Sequence, residues 1–145
     1  MKRIIAEMPM KMPSDLASNL RILIDDIKNK SFEITLQELD SNGKLIDEPG
    51  SLIAEIVKNP KRGCPIGVYE VIHTDAVSGY GPLIYDVAIE WSSIVGEGLM
   101  SDRQTVSSDA QNVWIKYFND RDDVIKIPLP QTCPDPVADR DWETS

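Results

Sequence analysis

Gly79-Tyr80-Gly81-Pro82 is the stretch whose residue types and spacing could hold an anion. Pro82 suits the first position of a helix, because its fixed backbone angle fits and its missing N–H would have no intrahelical partner there. Gly81 is then the N-cap, and Gly79 lets the chain turn without a Cβ clash. A strand ending in Gly-x-Gly at a helix N-terminus leaves several backbone N–H groups facing outward, which favours anionic groups, pyrophosphate above all. Gly-x-Gly is a short signal, and its position between a strand and a helix is what gives it weight.

Upstream of the turn, Glu70, His73 and Asp75 lie on the run Val68 to Val77. Glu70 and His73, with Asp75 near the strand's end, could take a proton from an amine directly or through water, and the plainer role is a polar sheet face. Downstream, Asp102 and Arg103 read first as a local ion pair fixing a strand-to-helix loop. Arg103 contacting an anionic ligand is the sharper alternative. Tyr80 between the glycines either covers a ligand or packs on the following helix. Lys58, Lys61 and Arg62 form a basic cluster in a loop, and Trp91, Trp114 and Phe118 fall on apolar stripes as core residues.

These residues need elements to hold them. Val68 to Val77 alternates as a long strand, with Val68, Glu70, Ile72 and Thr74 on one side and Tyr69, Val71, His73 and Asp75 on the other. Leu83, Val87 and Trp91 form one stripe of the next helix, with Ile84 and Ala88 beside it. Val95 to Gly98 is a loop entering a short strand at Leu99-Met100. Ser107 or Ser108 caps a last helix carrying Ala110, Val113, Trp114, Tyr117 and Phe118.

The N-terminal part reads as a short strand around Ile4-Ile5-Ala6, then a turn with Pro9 and Pro13. Ser14 caps an amphipathic helix through Leu16, Leu20, Leu23, Ile24 and Ile27, ending near Asn29. Ser31 to Leu39 alternates as a half-buried strand and runs into the turn Asp40-Ser41-Asn42-Gly43. Its partner is Lys44 to Asp47 or Ser51 to Lys58. Val124 to Leu129 is a closing strand, placed near a sheet edge by Pro128. The fold class expected is α/β of the mixed α+β kind, a mostly antiparallel central sheet flanked by helices. Residues 1–129 form one domain and 130–145 an acidic, proline-rich tail.

With 145 residues the chain is long enough for one core without a structural metal. A net charge of -9 argues against a general nucleic-acid partner, which needs a basic surface. The two cysteines, Cys64 and Cys133, lack the spacing of a zinc site, and reduced thiols in a cytoplasmic protein are the simplest expectation. Neither a membrane-spanning run nor the apolar core of a signal peptide is present, so no membrane partner is expected.

The order of elements resembles that of the GNAT-type N-acetyltransferases, and residues 67–118 carry the likeness. Gly79 and Gly81 match the two glycines of the family's Arg/Gln-x-x-Gly-x-Gly/Ala turn, and Ser107-x-x-Ala110-x-x-Val113-Trp114 is similar to its last-helix pattern. The stretch is also similar to small phage-encoded proteins with a GPLLYD-type helix and an SDR segment. The resemblance implies acetyl-coenzyme A as cofactor, its pyrophosphate held by Gly79, Tyr80 and Gly81, with Arg103 as a further contact. It implies acyl transfer to a small-molecule or protein amine, with Glu70 or His73 as base. Ala76 stands where the family has Arg or Gln, and Trp114 where many members carry a tyrosine acid, leaving Tyr117 as the nearby phenol. These departures suit an alternative, a catalytically inactive viral interaction or virion protein in the host cytoplasm or the particle.

Overall fold

Alternation, not the helical period, decides the first third of the chain. The computed structural model describes residues 2–9, 19–59, 63–77, 79–102, 105–106, 108–133 and 137–138. Strands β1 (Lys2–Pro9), β2 (Asn19–Ile27), β3 (Ser31–Leu39), β4 (Leu45–Ile56) and β5 (Tyr69–Ala76) form an antiparallel meander. The helix expected from Ser14 to Asn29 is therefore replaced over 19–27 by β2, and Ser14 itself lies outside the described residues. Leu20, Ile22 and Ile24 are buried at period two; Ile22 is absent from the helical stripe, and Ile27, which belongs to that stripe, is 54 % exposed. Asn29, read as a helix end, instead takes φ +61 in the β2–β3 turn, closed by Lys30 N–H to the Ile27 carbonyl. Asparagine tolerates that left-handed backbone, so the same residue serves either ending.

The Asp40 to Gly43 turn is as expected: Oδ1 of Asp40 accepts from the N–H groups of Asn42 and Lys44, and Gly43 sits at φ +81. Both candidate partners of β3 belong to the single strand β4, which runs through Pro49-Gly50 with irregular pairing at Leu36 to Leu39.

Helix α1 (Gly81–Val95) follows β5 and leads to β6 (Leu99–Met100), which pairs parallel with β5. The mixed sheet has the order β1-β2-β3-β4-β5-β6. Tyr80, not Gly81, occupies the N-cap position, and α1 buries Ile84, Tyr85, Ala88 and Ser92, one step round from the expected stripe. Leu83, Val87 and Trp91 are only partly buried against the core. That core lies between α1 and one sheet face, built from Leu20, Ile22, Phe32, Ile34, Leu52 and Tyr69 among others. Each such side chain contributes roughly 1.5–3 kcal/mol on burial.

Two short strands, β7 (Thr105–Val106) and β8 (Val137–Ala138), pair parallel on either side of helix α2 (Ser108–Asp120) in sequence. Phe118 is 71 % exposed rather than a core residue, because α2 presents Tyr117, Val113 and Ala110 to the core. The closing strand expected over Val124–Leu129 is absent: no ladder forms there, and Ile125 and Ile127 are exposed. Alternation in a short run proves insufficient where no sheet edge lies beside it.

Cys64 and Cys133 are bridged, which replaces the reduced thiols expected from their spacing. The bridge sits in a second, small core with Val57 and Met100.

Candidate functional site

The last two strands of the sheet hold each other only at their start. Tyr69 pairs with Leu99 and Glu70 with Met100; β6 then ends, while β5 continues to Ala76. Past Glu70 the described residues supply β5 with a ladder on its β4 side alone. The strands part, and the outer side of β5's C-terminal half adjoins open space.

Just beyond β5 the chain turns back, with Tyr80 N–H donating to the Val77 carbonyl and Gly79 at φ +96. Only glycine takes that backbone without strain, and the space around a Cβ there is open. The first intrahelical bond of α1 runs from Ile84 N–H to the Tyr80 carbonyl. The amides of Gly81 and Leu83 precede it, and Pro82 has none to offer. The positive end of the helix dipole thus faces the turn.

A cavity of about 530 Å³ opens at this point, between the end of β5, the turn and α2. Thr74, Asp75, Gly79, Gly81 and Pro82 line it from one side, with Tyr85 at its base. Ala110, Asn112, Val113 and Lys116 close it from α2. Lys116 brings a cation and Asp75 an anion. Asp75 and Val77 also line a polar cavity of about 400 Å³ shared with Glu33, Thr35 and Glu48, on the sheet face away from the core.

The wall behind the turn is a hydrogen-bonded cluster. Tyr117 Oη donates to Asp86 Oδ1 at 2.5 Å and lies 3.2 Å from the Pro82 carbonyl oxygen. Arg121 donates to the same Asp86 oxygen at 3.0 Å, and its guanidinium lies 5.1 Å from the centre of the Tyr117 ring. Burial first, then the bond to Asp86, pushes the Tyr117 phenol far above its ordinary range. Arg121 also chelates Asp123 through two 2.8 Å bonds, which hold that carboxyl down to about 2. Tyr85 meets Thr74 Oγ1 at 3.2 Å and the edge of Trp114 at 5.6 Å, and burial raises its pKa.

The structure brings Asp75, Gly79 and Gly81 to one cavity, whereas Glu70, His73, Tyr80 and Tyr117 do not line it. Tyr80 packs on the core rather than over the turn, its hydroxyl 3.4 Å from Glu38 Oε1. Glu70 is 4 % exposed, at the last rung of the β5–β6 ladder, and lines neither cavity. His73 is exposed. A shift of register between Ile53 and Ala54 lies opposite Ile72, so the strict two-sided alternation expected for Val68 to Val77 breaks there. Val71 is buried, Ile72 exposed, and Thr74 reaches Tyr85 on the core side. Arg103, Lys61 and Arg62 fall outside the described residues, and Lys58 is exposed. Sequence reasoning missed Lys116 and Asn112. Their spacing marks one face of α2, but only the packing of α2 beside the start of α1 shows which face meets the turn.

A larger cavity of about 770 Å³ lies on the other side of α2, lined by Ile66, Val68, Met100, Trp114, Phe118 and Ile127 among others. Among the described residues no group of three metal-ligating side chains occurs, and no helix is long and apolar enough to cross a membrane. The chain matches no protein-family model, no curated protein and no solved structure.

Proposed function

We propose that this chain is a GNAT-like acyl-coenzyme A-dependent N-acyltransferase, moving an acetyl group from acetyl-coenzyme A to an amine. The cavity at the Gly79–Gly81 turn carries this reading: it joins a helix N-terminus, a glycine forced to positive φ and a lysine beside a strand freed of its neighbour. Backbone amides of the first turn of α1 receive the pyrophosphate, and Lys116 offsets its charge. The rest of the cofactor follows the gap where β5 leaves β6.

Of the two bases, Glu70 is buried at the last rung of the β5–β6 ladder, where the strands part, and reaches substrate only if that gap opens, whereas His73 is exposed beyond the register shift. The base frees the amine lone pair for attack on the thioester carbonyl; the coenzyme thiolate leaves and takes a proton. Tyr117 would have to release Asp86 to supply that proton, so its present bonds make it first a support for the cavity wall. Thiol release from acetyl-coenzyme A in the presence of a panel of amines tests the reaction. Amine-dependent release by the wild type, lost in Glu70→Gln, supports it; none by a folded protein that binds the cofactor removes the transferase activity.

The exposed apolar groove favours a second reading, a GNAT-like domain without catalysis that acts through protein contacts in a virus. Phe118 and Ile127, 71 % and 76 % exposed, line that groove, and Ile125, 88 % exposed, lies beside Ile127 in sequence. Failure to bind acetyl-coenzyme A, with stable capture of a virion protein, selects it.

A further inference from the structure

We propose that the Cys64–Cys133 bridge is a redox latch that fastens the segment after α2 and closes the wall of the apolar cavity. The bridge joins the β4–β5 connection to the far end of the chain across a sequence separation of 69. Its two sulfurs lie in a small core with Val57 and Met100, supported by Val68 and Leu129 and separate from the main core under α1. The segment from Arg121 to Cys133 belongs to no helix or strand. Ile127 and Leu129 of this segment line the 770 Å³ cavity. Breaking the bridge leaves the segment tied near its start by Arg121 on Asp86 and Val124 against the main core, and at its far end by the partial burial of Leu129 and by the Thr132 hydroxyl, which donates to the Gly63 carbonyl at 2.8 Å. Beyond the bridge, among the described residues, β8 pairs with β7 in a two-pair ladder.

The opposing loop is shaped for this contact. Gly63 has φ +78, and a Cβ there would overlap the Thr132 backbone. A glycine is therefore required at that place for the loop to receive the segment, one residue before Cys64. Release also reaches the sheet: Met100, in the core of the bridge, is the ladder partner of Glu70. The main core contains neither cysteine, so the meander and α1 keep their packing when the latch opens.

A dithiol reductant supplies the step. Its thiolate attacks one sulfur, forming a mixed disulfide and expelling the other cysteine as a thiolate that takes up a proton. The second thiol of the reductant then attacks the mixed disulfide and frees the remaining cysteine; the reductant leaves as its disulfide, two electrons poorer. Both cysteines are 5 % exposed, so attack follows local opening of the segment. A bridge that protects so little of the core suits a chain that meets both reducing and oxidising surroundings.

Hydrogen–deuterium exchange on the full chain, with thiol counting in denaturant, is the test. The oxidised protein should titrate no thiol and the protein treated with dithiothreitol two. Exchange in peptides covering 63–68 and 121–133 should rise about tenfold on reduction, while β2 to β5 change little. Re-oxidation should reverse the change, and a Cys64→Ser, Cys133→Ser double variant should show the reduced pattern and ignore reductant. Thiols that stay free after treatment with an oxidant overturn the proposal, as does unchanged exchange in 121–133. Loss of protection throughout the sheet also overturns it, since the bridge would then be a staple of the whole fold.

Discussion

Tyr117 on α2 donates its phenol proton to the Asp86 carboxylate on α1 at 2.5 Å, with the Pro82 carbonyl oxygen 3.2 Å away. One hydroxyl thus ties the last helix to the first turn of the helix that begins at the glycine turn. The width of the cavity between them depends on that tie, because Pro82 lines one wall and Lys116, the residue before Tyr117, lines the other.

Tyr117→Phe keeps the ring, its 6.3 Å contact with Trp114 and the Arg121 stacking, and removes only the donor. Asp86 retains Arg121 and is half exposed, so it is not left as an unpaired buried charge. The expected cost is about 1 kcal/mol in denaturant unfolding, with α2 amides exchanging faster than those of β3 and β4. A change below about 0.3 kcal/mol would show that the helices hold together without this bond.

All four tyrosines, Tyr69, Tyr80, Tyr85 and Tyr117, have raised phenol pKa values, each first by burial. An unfolded tyrosine ionises near 10, whereas these hold their protons beyond it. Above pH about 10 the unfolded chain therefore binds fewer protons than the folded one, and stability falls as pH rises. Ultraviolet titration should show little tyrosinate near pH 10 and a steep rise at higher pH, coincident with loss of circular dichroism. A smooth transition centred near 10 in the folded protein would contradict the burial described.

Gly96 ends α1 against the start of β5. A Cβ there would lie 2.7 Å from the Gly67 carbonyl oxygen and 2.7 Å from the Tyr69 ring. Its φ of -155° is open to any residue, so the requirement is one of space. Gly96→Ala should cost about 1–3 kcal/mol through displacement of Tyr69, read as a lowered midpoint with unchanged denaturant slope.

How far the sequence disclosed all this differs by region. From Tyr69 to Asp120 the order of strand, glycine turn, helix, short strand and helix was legible, because Gly79, Pro82, Gly96 and Gly98 punctuate it and the helices keep one period. Leu20 and Ile24 fit both periods, Leu23 and Ile27 only the helical one and Ile22 only the alternating one, and pairing with β1 and β3 chooses the strand. The strand expected at Val124 to Leu129 failed for the opposite reason, since alternation without a neighbouring edge binds nothing. In the site, Gly79 and Gly81 could be found because backbone demands are local. Lys116 and the Asp86–Tyr117–Arg121 cluster could not, being brought together over about 30 intervening residues by the packing of α2 on α1. The Cys64–Cys133 pair was hidden likewise by its separation of 69.

The central claim is that the turn before α1 binds the pyrophosphate of coenzyme A, and calorimetric titration with acetyl-coenzyme A tests it most directly. Gly81→Glu is the matched variant: a Cβ at Gly81 meets only Val113 Cγ2, at 3.8 Å, so the fold tolerates it while a carboxylate enters the proposed anion site. The account predicts saturable one-to-one binding by the wild type, weaker binding by Lys116→Ala and none by Gly81→Glu. Equal binding by Gly81→Glu, or no binding by a folded wild type, would contradict it.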